Sequence, residues 1–262
     1  MRTALRPEAD RLAVVIPVYG RQKLTDQLVS NLEADNYPCT VWIVDNRGDY
    51  DSRGREHVVV APNNLQWAGG CNLGMREAIR RTPDDIVLLN NDVYISPGFL
   101  DGLVTARRET GAALVGPMYD CNWQQQRGDY LGTAAEYKPA PVEREVPFID
   151  GTCMLISADA LATVGLLDDA TWPVYGWGCD KDYALRARHS GGRIYVTERS
   201  YLNHLKRQTA VMDPSYSERK AEDEHQTGMC RKWGNDWCDT LFDGFPISRT
   251  GLTEERLARG GH

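Results

Sequence analysis

The sequence predicts an α/β domain whose central sheet is mostly parallel. Two patterns carry that prediction. From residue 12 to about residue 115, short apolar runs alternate with segments of helical period. The runs stop abruptly at polar residues, as Ile86-Val87-Leu88-Leu89 stops at Asn90-Asn91-Asp92. Strands buried on both faces read that way, which places helices on either side of the sheet.

Residues 12–17 (Leu-Ala-Val-Val-Ile-Pro) form the first strand, and Val18-Tyr19-Gly20-Arg21 is the loop beyond it. Leu24, Leu28 and Leu32 recur at helical spacing, so residues 23–35 are a helix. Residues 40–44 form a second strand that stops at Asp45-Asn46. An acid there can hydrogen-bond a ribose or nucleobase, or close a turn, and the local residues leave both open. A polar loop over 49–55 leads to a third strand at 58–61. Gly69-Gly70 then precedes a helical pattern at 75–81. Adjacent glycines admit a ligand close to the backbone, and the helix start behind them would favour an anion.

The run from Asp84 to Leu100 is the centre of the chain. In open α/β sheets, ligands bind beyond the carboxyl ends of the strands. Asn90, Asn91 and Asp92 therefore stand at a binding edge, with oxygen donors suited to Mg²⁺ or Mn²⁺ carrying a phosphate. A strand-ending turn is the competing reading of the same three residues. Pro97-Gly98 opens a helix toward Thr110, and 113–115 is a further strand.

Residues 119–146 lack a sustained period, which marks a binding loop or lid. A strand at 153–157 and a short helix at 158–164 follow. Trp172, Tyr175 and Trp177 are interleaved with Pro and Gly just ahead of Asp180 and Asp182. Aromatic faces beside carboxylates suit a carbohydrate, while Asp180 equally suits the N-cap of a helix over 183–189. A strand at 193–197 precedes His204, a structural histidine or a ligand. Lys206 and Arg207 beside it suit phosphates as point charge and fork. Residues 214–233 form a charged helical flank whose buried side is marked by Trp233 and Trp237, and 250–262 read as a mobile tail.

Composition narrows the class. Hydrophobic content of 42% over 262 residues supports a substantial core, and a net charge of −7 argues against general nucleic-acid binding. The seven cysteines form no Cys-x-x-Cys pair, so neither a zinc site nor a disulfide framework is expected. The amino terminus lacks a signal-peptide stretch and no window reaches membrane-span length, which makes reduced cytoplasm the simplest expectation. Neither Gly-x-Gly-x-x-Gly after the first strand nor Gly-x-x-x-x-Gly-Lys-Ser/Thr is present, against a dinucleotide oxidoreductase and a Walker-type NTPase.

Taken in order, these motifs resemble the inverting family 2 glycosyltransferases of GT-A fold, in the branch of rhamnosyl- and galactofuranosyltransferase-like enzymes. Val-Val-Ile-Pro-Val-Tyr-Gly is similar to the family's opening strand and loop, and Val44-Asp45-Asn46 to its nucleobase-contacting acid. Asn64-Leu65 with Ala68-Gly69-Gly70-Cys71-Asn72-Leu73-Gly74 resembles its Asn-x-Gly-x-x-Gly-Gly-x-Asn-x-Gly segment. Asn90-Asn91-Asp92 occupies the Asp-x-Asp position, Asp150-Gly151-Thr152 the acceptor-side strand, and Cys179-Asp180-Lys181-Asp182 the Glu-Asp-x-Asp helix start. A weaker echo lies at Lys232-Trp233-Gly234. Three departures stand out: Asn90 for the first Asp, Cys179 for Glu, and Gln66 for Gly.

The resemblance implies a single Rossmann-like GT-A domain over 10–210, with a nucleotide-sugar half at 10–117 and an acceptor half at 118–210. A C-terminal helical flank at 211–249 follows. It implies a metal-dependent inverting hexosyltransferase that moves a sugar from a UDP- or dTDP-linked donor to a hydroxyl of a saccharide, lipid-linked glycan or protein. Asp180 would be the base, and Asp92 and His204 would hold Mn²⁺ or Mg²⁺. Pro17, Tyr19, Asp45, Asn64, Gly70, Asn72, Asn90, Asn91, Lys206 and Arg207 would bind the donor. Gly151, Thr152, Trp177 and Asp182 would bind the acceptor. The competing functions are a sugar-nucleotide pyrophosphorylase and a non-catalytic sugar-binding protein of the same fold.

Overall fold

The computed structural model describes residues 11–245, apart from 82, 121–122, 207 and 209. A nine-stranded sheet runs through it in the order β3-β2-β1-β4-β8-β6-β9-β5, with β7 paired to β9. The strands are β1 (Leu12–Val18), β2 (Thr40–Asp45), β3 (His57–Val60), β4 (Asp85–Leu89), β5 (Val93–Ile95), β6 (Leu114–Tyr119), β7 (Glu143–Glu145), β8 (Cys153–Ser157) and β9 (Ile194–His204). β1 to β4 are mutually parallel; β8 runs against both β4 and β6, and β9 runs with β6. Six strands thus point one way, and β5, β7 and β8 point the other. The predicted α/β class holds, with β1 to β4 purely parallel and a mixed remainder.

Strand alternation sorts the core. Ala13, Val15, Val44, Ile86 and Leu88 face one layer, built from α2 (Gln66–Ile79), α5 (Cys179–His189) and the C-terminal helices α6 (Glu218–Trp233) and α7 (Trp237–Phe242). Leu12, Val14, Ile16, Ile43 and Val87 face the other, built from α1 (Gln22–Asp35) and α3 (Phe99–Thr110). The short α4 (Ala158–Val164) matches the sequence prediction. The carboxylate of Asp35, at the end of α1, accepts hydrogen bonds from the N–H groups of Phe99 and Leu100 and so caps α3, whose N-cap Gly98 has no side chain to do it.

Three differences from the sequence expectations have physical causes. α2 begins at Gln66, nine residues ahead of the expected start at Met75, so Gly69 and Gly70 lie inside the helix rather than before it. The missing side chain at Gly70 brings the helix onto the sheet: a Cβ there would stand 2.9 Å from Asn46 Nδ2 and 3.1 Å from Pro17 Cβ. β9 runs on to His204 because its register slips past a bulge at Pro117/Met118, so the polar Glu198-Arg199-Ser200 interrupts the sequence pattern but not the strand. β5, three residues long, is too short to show a period, and α7 likewise.

The topology gathers one edge. The carboxyl ends of β1, β2, β4 and β9 and the amino ends of β5 and β8 lie together there, since Leu89 pairs with Cys153 and Val93 with His204. No described helix is long and apolar enough to cross a membrane.

Candidate active site

The turn Asp150-Gly151-Thr152, entering β8, is the hub of that edge. The Thr152 carbonyl accepts the Asn90 N–H at 3.0 Å, joining the turn to the end of β4. Thr152 Oγ1 donates to Asp150 Oδ1 at 2.5 Å and lies 3.3 Å from His204 Nδ1. The Gly151 N–H donates to Asp180 Oδ2 at 3.3 Å. Two groups of opposite predicted role, the Asp92–His204 pair and Asp180, are therefore fastened to one three-residue turn.

The Asp92–His204 pair is tight. His204 Nε2 is 3.2 Å from Asp92 Oδ1, and the other Asp92 oxygen accepts the Gln208 N–H at 3.1 Å. Burial works against the charge of Asp92, but the hydrogen bond and charge of His204, with that backbone N–H, hold its carboxyl below the usual range. The hydroxyl of Thr152 has one proton, and Asp150 receives it. His204 Nδ1 must then be the donor to Thr152, which in the neutral ring leaves an Nε2 lone pair facing a carboxylate oxygen. A cation held between the two makes that contact favourable.

This arrangement fits a divalent ion. A carboxylate oxygen and an imidazole nitrogen converge, and the far ring nitrogen is held by a hydroxyl–carboxylate relay of the kind that orients metal-ligating histidines. Among the described residues no group of three or more His, Cys, Asp or Glu side chains gathers around an ion. The protein would supply two ligands, leaving positions for water and phosphate oxygens, as Mg²⁺ prefers.

Asp180 is buried in the first turn of α5, whose N-cap is Gly178, so it is not the cap. One carboxylate oxygen accepts the Lys181 N–H at 2.9 Å, and Lys181 Nζ stands 3.4 Å from both oxygens. That ammonium is itself buried, 4.9 Å from the Trp123 ring centre and 5.0 Å from that of Phe148. Trp123 also donates Nε1–H to Asp150 Oδ2 at 3.0 Å, and the Asp150 N–H donates to Gln126 Oε1. Although burial opposes it, the Thr152 hydrogen bonds and Lys181 hold the Asp150 carboxyl below its ordinary range. The irregular stretch expected as a loop or lid thus supports the turn from beneath with Trp123 and Gln126.

Other predicted residues sit elsewhere or serve the framework. Both oxygens of Asp45 are engaged by backbone: Oδ1 accepts the N–H groups of Arg47 and Gly48, and Oδ2 that of Tyr50. Of its two open readings, turn closure is the one in place. Asn72 is buried, with its amide paired both ways to the Leu167 backbone at 2.9 and 3.0 Å, and Asn91 donates to Thr25 Oγ1 at 3.0 Å. These two asparagines, expected at the donor, clamp a loop and α1. Gly70 is a packing position against Pro17. Asp182 is fully buried: Oδ2 accepts Arg186 Nε at 2.8 Å, and Oδ1 accepts Trp233 Nε1 at 2.9 Å and lies 2.8 Å from Lys232 Nζ. Its carboxylate thereby joins α5 to α6, which accounts for the Lys232-Trp233 motif.

Asn64 keeps an edge position, donating to Asp213 Oδ2 at 3.1 Å beside Gln66 Nε2 at 3.2 Å. Gln66 has φ +57°, a left-handed conformation natural to glycine, which explains why Gly is the family residue there. Tyr19 is half-buried with the Arg47 guanidinium 5.9 Å from its ring, Trp177 is half-buried, and Lys206 is exposed. Trp172, of the aromatic run, is core. Arg207 lies outside the described residues. Cys179 is buried and donates its Sγ–H to the Asp168 carbonyl, so its side chain faces the core.

Sequence reasoning missed Trp67, Trp123, Asp150 and Lys181. Trp67 Nε1 donates to Asn90 Oδ1 at 2.9 Å, and its ring lies against Gly151, where a Cβ would come within 2.8 Å of it. The double glycine beside Trp67 and the acid beside Lys181 were the available signals; nothing local marked Trp123.

The doubly covered α/β sheet thus carries a carboxylate–imidazole pair and a buried acid at its carboxyl edge. Comparison makes the assignment. The family model of glycosyl transferase family 2 matches residues 13–165. An uncharacterized Mycobacterium tuberculosis protein is 41% identical over 199 residues, 76% of each chain. The N-acetylglucosaminyl-diphospho-decaprenol L-rhamnosyltransferase of the same species is 25% identical over 249 residues, 79% of this chain and 80% of that one. Among solved structures, GalNAc-T7 with UDP, GalNAc and Mn²⁺ superposes with TM-score 0.63 at 12% identity over 98% of this chain, which spans 58% of that structure's length. S. aureus TarS 1–349 with UDP gives TM-score 0.52 at 14% identity over 94% of this chain and 78% of that one. The chain belongs to glycosyltransferase family 2, and its fold is the GT-A glycosyltransferase fold.

Proposed function

We propose that the protein is a metal-dependent, inverting glycosyltransferase that moves a sugar from a nucleoside-diphosphate donor, UDP- or dTDP-linked, to a hydroxyl acceptor. The distant rhamnosyltransferase relative supports the rhamnosyl- and galactofuranosyltransferase-like branch, with a saccharide or lipid-linked glycan as acceptor. The observation that carries the reading is the shared turn: Asp180 and the Asp92–His204 pair are both hydrogen-bonded to residues 151–152. One reacting centre can then lie within reach of a base on one side and a diphosphate anchor on the other.

In this reading Asp180 takes the acceptor hydroxyl proton as the oxygen attacks the anomeric carbon from the face opposite the leaving group. The new C–O bond forms while the bond to the diphosphate breaks, so configuration inverts. Asp92 and His204 would hold the divalent ion, which would supply positive charge against that building on the departing diphosphate. Lys206, exposed just past the end of β9, would add positive charge at the same edge, a role the sequence also offers to Arg207, which lies outside the described residues. The role expected of Asp45 passes to the loop it folds, residues 46–50, whose backbone would border the base. Trp177 offers an aromatic face to the acceptor sugar.

The test begins with melting curves in UDP and dTDP, with and without Mn²⁺, followed by transfer and donor-hydrolysis assays with the stabilising nucleotide's sugars. Asp180→Asn should reduce transfer at least about a thousandfold while nucleotide binding stays unchanged. Near wild-type transfer by that variant would remove Asp180 as the base.

A further inference from the structure

Asn90 stands where the family resemblance places a carboxylate, and the structure fixes which end of its amide faces Trp67. The indole Nε1–H of Trp67 is a donor only, so the Asn90 side-chain atom 2.9 Å from it must be the oxygen. This removes the usual ambiguity between amide oxygen and nitrogen. The Asn90 NH₂ group is left with no partner among the described residues, on a half-buried side chain two positions before Asp92. Trp67 cannot swing away freely, because its ring is seated against Gly151. The backbone of Asn90 is pinned as well, by its N–H to the Thr152 carbonyl.

We infer that Asn90 is a hydrogen-bond donor to the diphosphate of the donor nucleotide and not a metal ligand, and that Trp67 is the positioning residue that holds its amide in that orientation. The inference rests on the proposed function and settles how the substitution at the first motif position works. An amide oxygen turned toward Trp67 is withheld from the ion, so the metal is carried by Asp92 and His204 from the protein side. The NH₂ group, with two N–H bonds directed away from Trp67, meets an anionic oxygen better than a carboxylate would. Charge lost at the ion by replacing Asp with Asn is matched by repulsion removed at the phosphate.

The experiment measures two affinities separately. Mn²⁺ binding to the UDP-saturated protein is followed by electron paramagnetic resonance, and UDP binding at saturating Mn²⁺ by calorimetry. Asn90→Ala should leave Mn²⁺ affinity within about twofold and weaken UDP by about ten- to a hundredfold, the loss of one hydrogen bond to a charged group. Asn90→Asp should tighten Mn²⁺ by about tenfold or more, because its second oxygen faces the ion. Trp67→Phe, which keeps the ring against Gly151 but removes the N–H, should tighten Mn²⁺ about two- to fivefold as the freed amide turns its oxygen inward. A purely structural Trp67 would change the melting temperature and not the Mn²⁺ affinity.

Tenfold weaker Mn²⁺ binding in Asn90→Ala would make Asn90 a ligand and overturn the inference. Unchanged UDP affinity in that variant would remove the diphosphate contact, and an unchanged Mn²⁺ affinity in Trp67→Phe would remove the positioning role. Should Asn90→Ala not fold, Asn90→Ser is read in its place. Wild-type protein that binds neither UDP nor dTDP with Mn²⁺ would instead bring down the proposed function and this inference with it, an outcome distinct from any of the variant results.

Discussion

Replacing Asp182 decides whether that residue holds the framework or touches the acceptor. Its carboxylate is fully buried and joins Arg186 on its own helix to Lys232 and Trp233 on α6. Asp182→Ala leaves the Arg186 guanidinium and the Trp233 indole N–H without that acceptor. Breaking a buried pair by removing one partner costs about 3–5 kcal/mol. Lys232 retains Asp168 at 2.6 Å, and Arg186 retains the carbonyls of Val164 and Leu166, which puts the loss at the low end. About 3 kcal/mol in a domain of this size lowers the melting temperature by roughly 6–12 °C. Asp182→Asn keeps one accepting oxygen and should lose about half as much. Thermal melts by circular dichroism at pH 7, with urea titration for the free energy, read the effect. An Asp182→Ala protein melting within about 2 °C of wild type would refute the argument. So would Asp182→Asn with unchanged melting and a raised acceptor KM, since that pattern belongs to a substrate contact.

Two carboxylates should set opposite pH trends in stability. Burial pushes Asp85 up to about 6, above its unfolded value, against the pull of Arg107 at 2.8 Å. Its contribution is therefore full below about pH 4 and lost as pH rises through about 6, by roughly 3 kcal/mol, and Asp85→Asn should flatten the decline in melting temperature across that window. Asp168 is held down at about 2, where burial is outweighed by Lys232 and Thr171. Being partly exposed, it contributes on the order of 1 kcal/mol above about pH 4, lost as pH falls through about 2, and Asp168→Asn should shorten the acid limb of the stability profile. Gly74→Ala would drive a methyl into Val15 and to 2.8 Å from Val44 Cγ2. Overpacking of that kind costs about 1–3 kcal/mol, a fall of roughly 2–12 °C in a melting curve.

The N-terminal half of the fold was legible because buried parallel strands and their helices write themselves as uninterrupted apolar runs and simple periods. Strands β1, β2, β4 and β8 fall within a residue of their predicted bounds. α2 was misplaced because its first turns carry glycines, which lower helix propensity and are chosen here for contact with Asn46 and Pro17. β9 was cut short by a bulge that only the neighbouring strand reveals. At the site, the residues offering acid or imidazole chemistry could be named from sequence, but not which of them were already engaged. Asp45, Asn72 and Asp182 carry the right chemistry and are satisfied by backbone or by α6. Whether a polar side chain is free depends on contacts across 95 residues for Asn72 and 51 for Asp182, a separation that local pattern does not encode.

Those long-range contacts also tie the C-terminal flank to the chemistry. Lys232 and Trp233 hold Asp182, two positions beyond Asp180 in α5. Asp180 bonds to Gly151, Thr152 to His204, and His204 to Asp92, so an unbroken series of contacts runs from α6 to the candidate metal pair. Cys179, which departs from the family's acid, fits this picture: its side chain turns into the core toward the backbone carbonyl of Asp168, a residue whose carboxylate Lys232 also holds. A glutamate pointed the same way would bury a third charge beside Asp168 and Asp182. A small apolar thiol adds no charge to a junction already balanced by Lys232 and Arg186. The position that looked like a lost contact is thus accounted for by the packing of α5, while the ammonium of Lys181, caged by Trp123 and Phe148, is what faces Asp180 from its own helix.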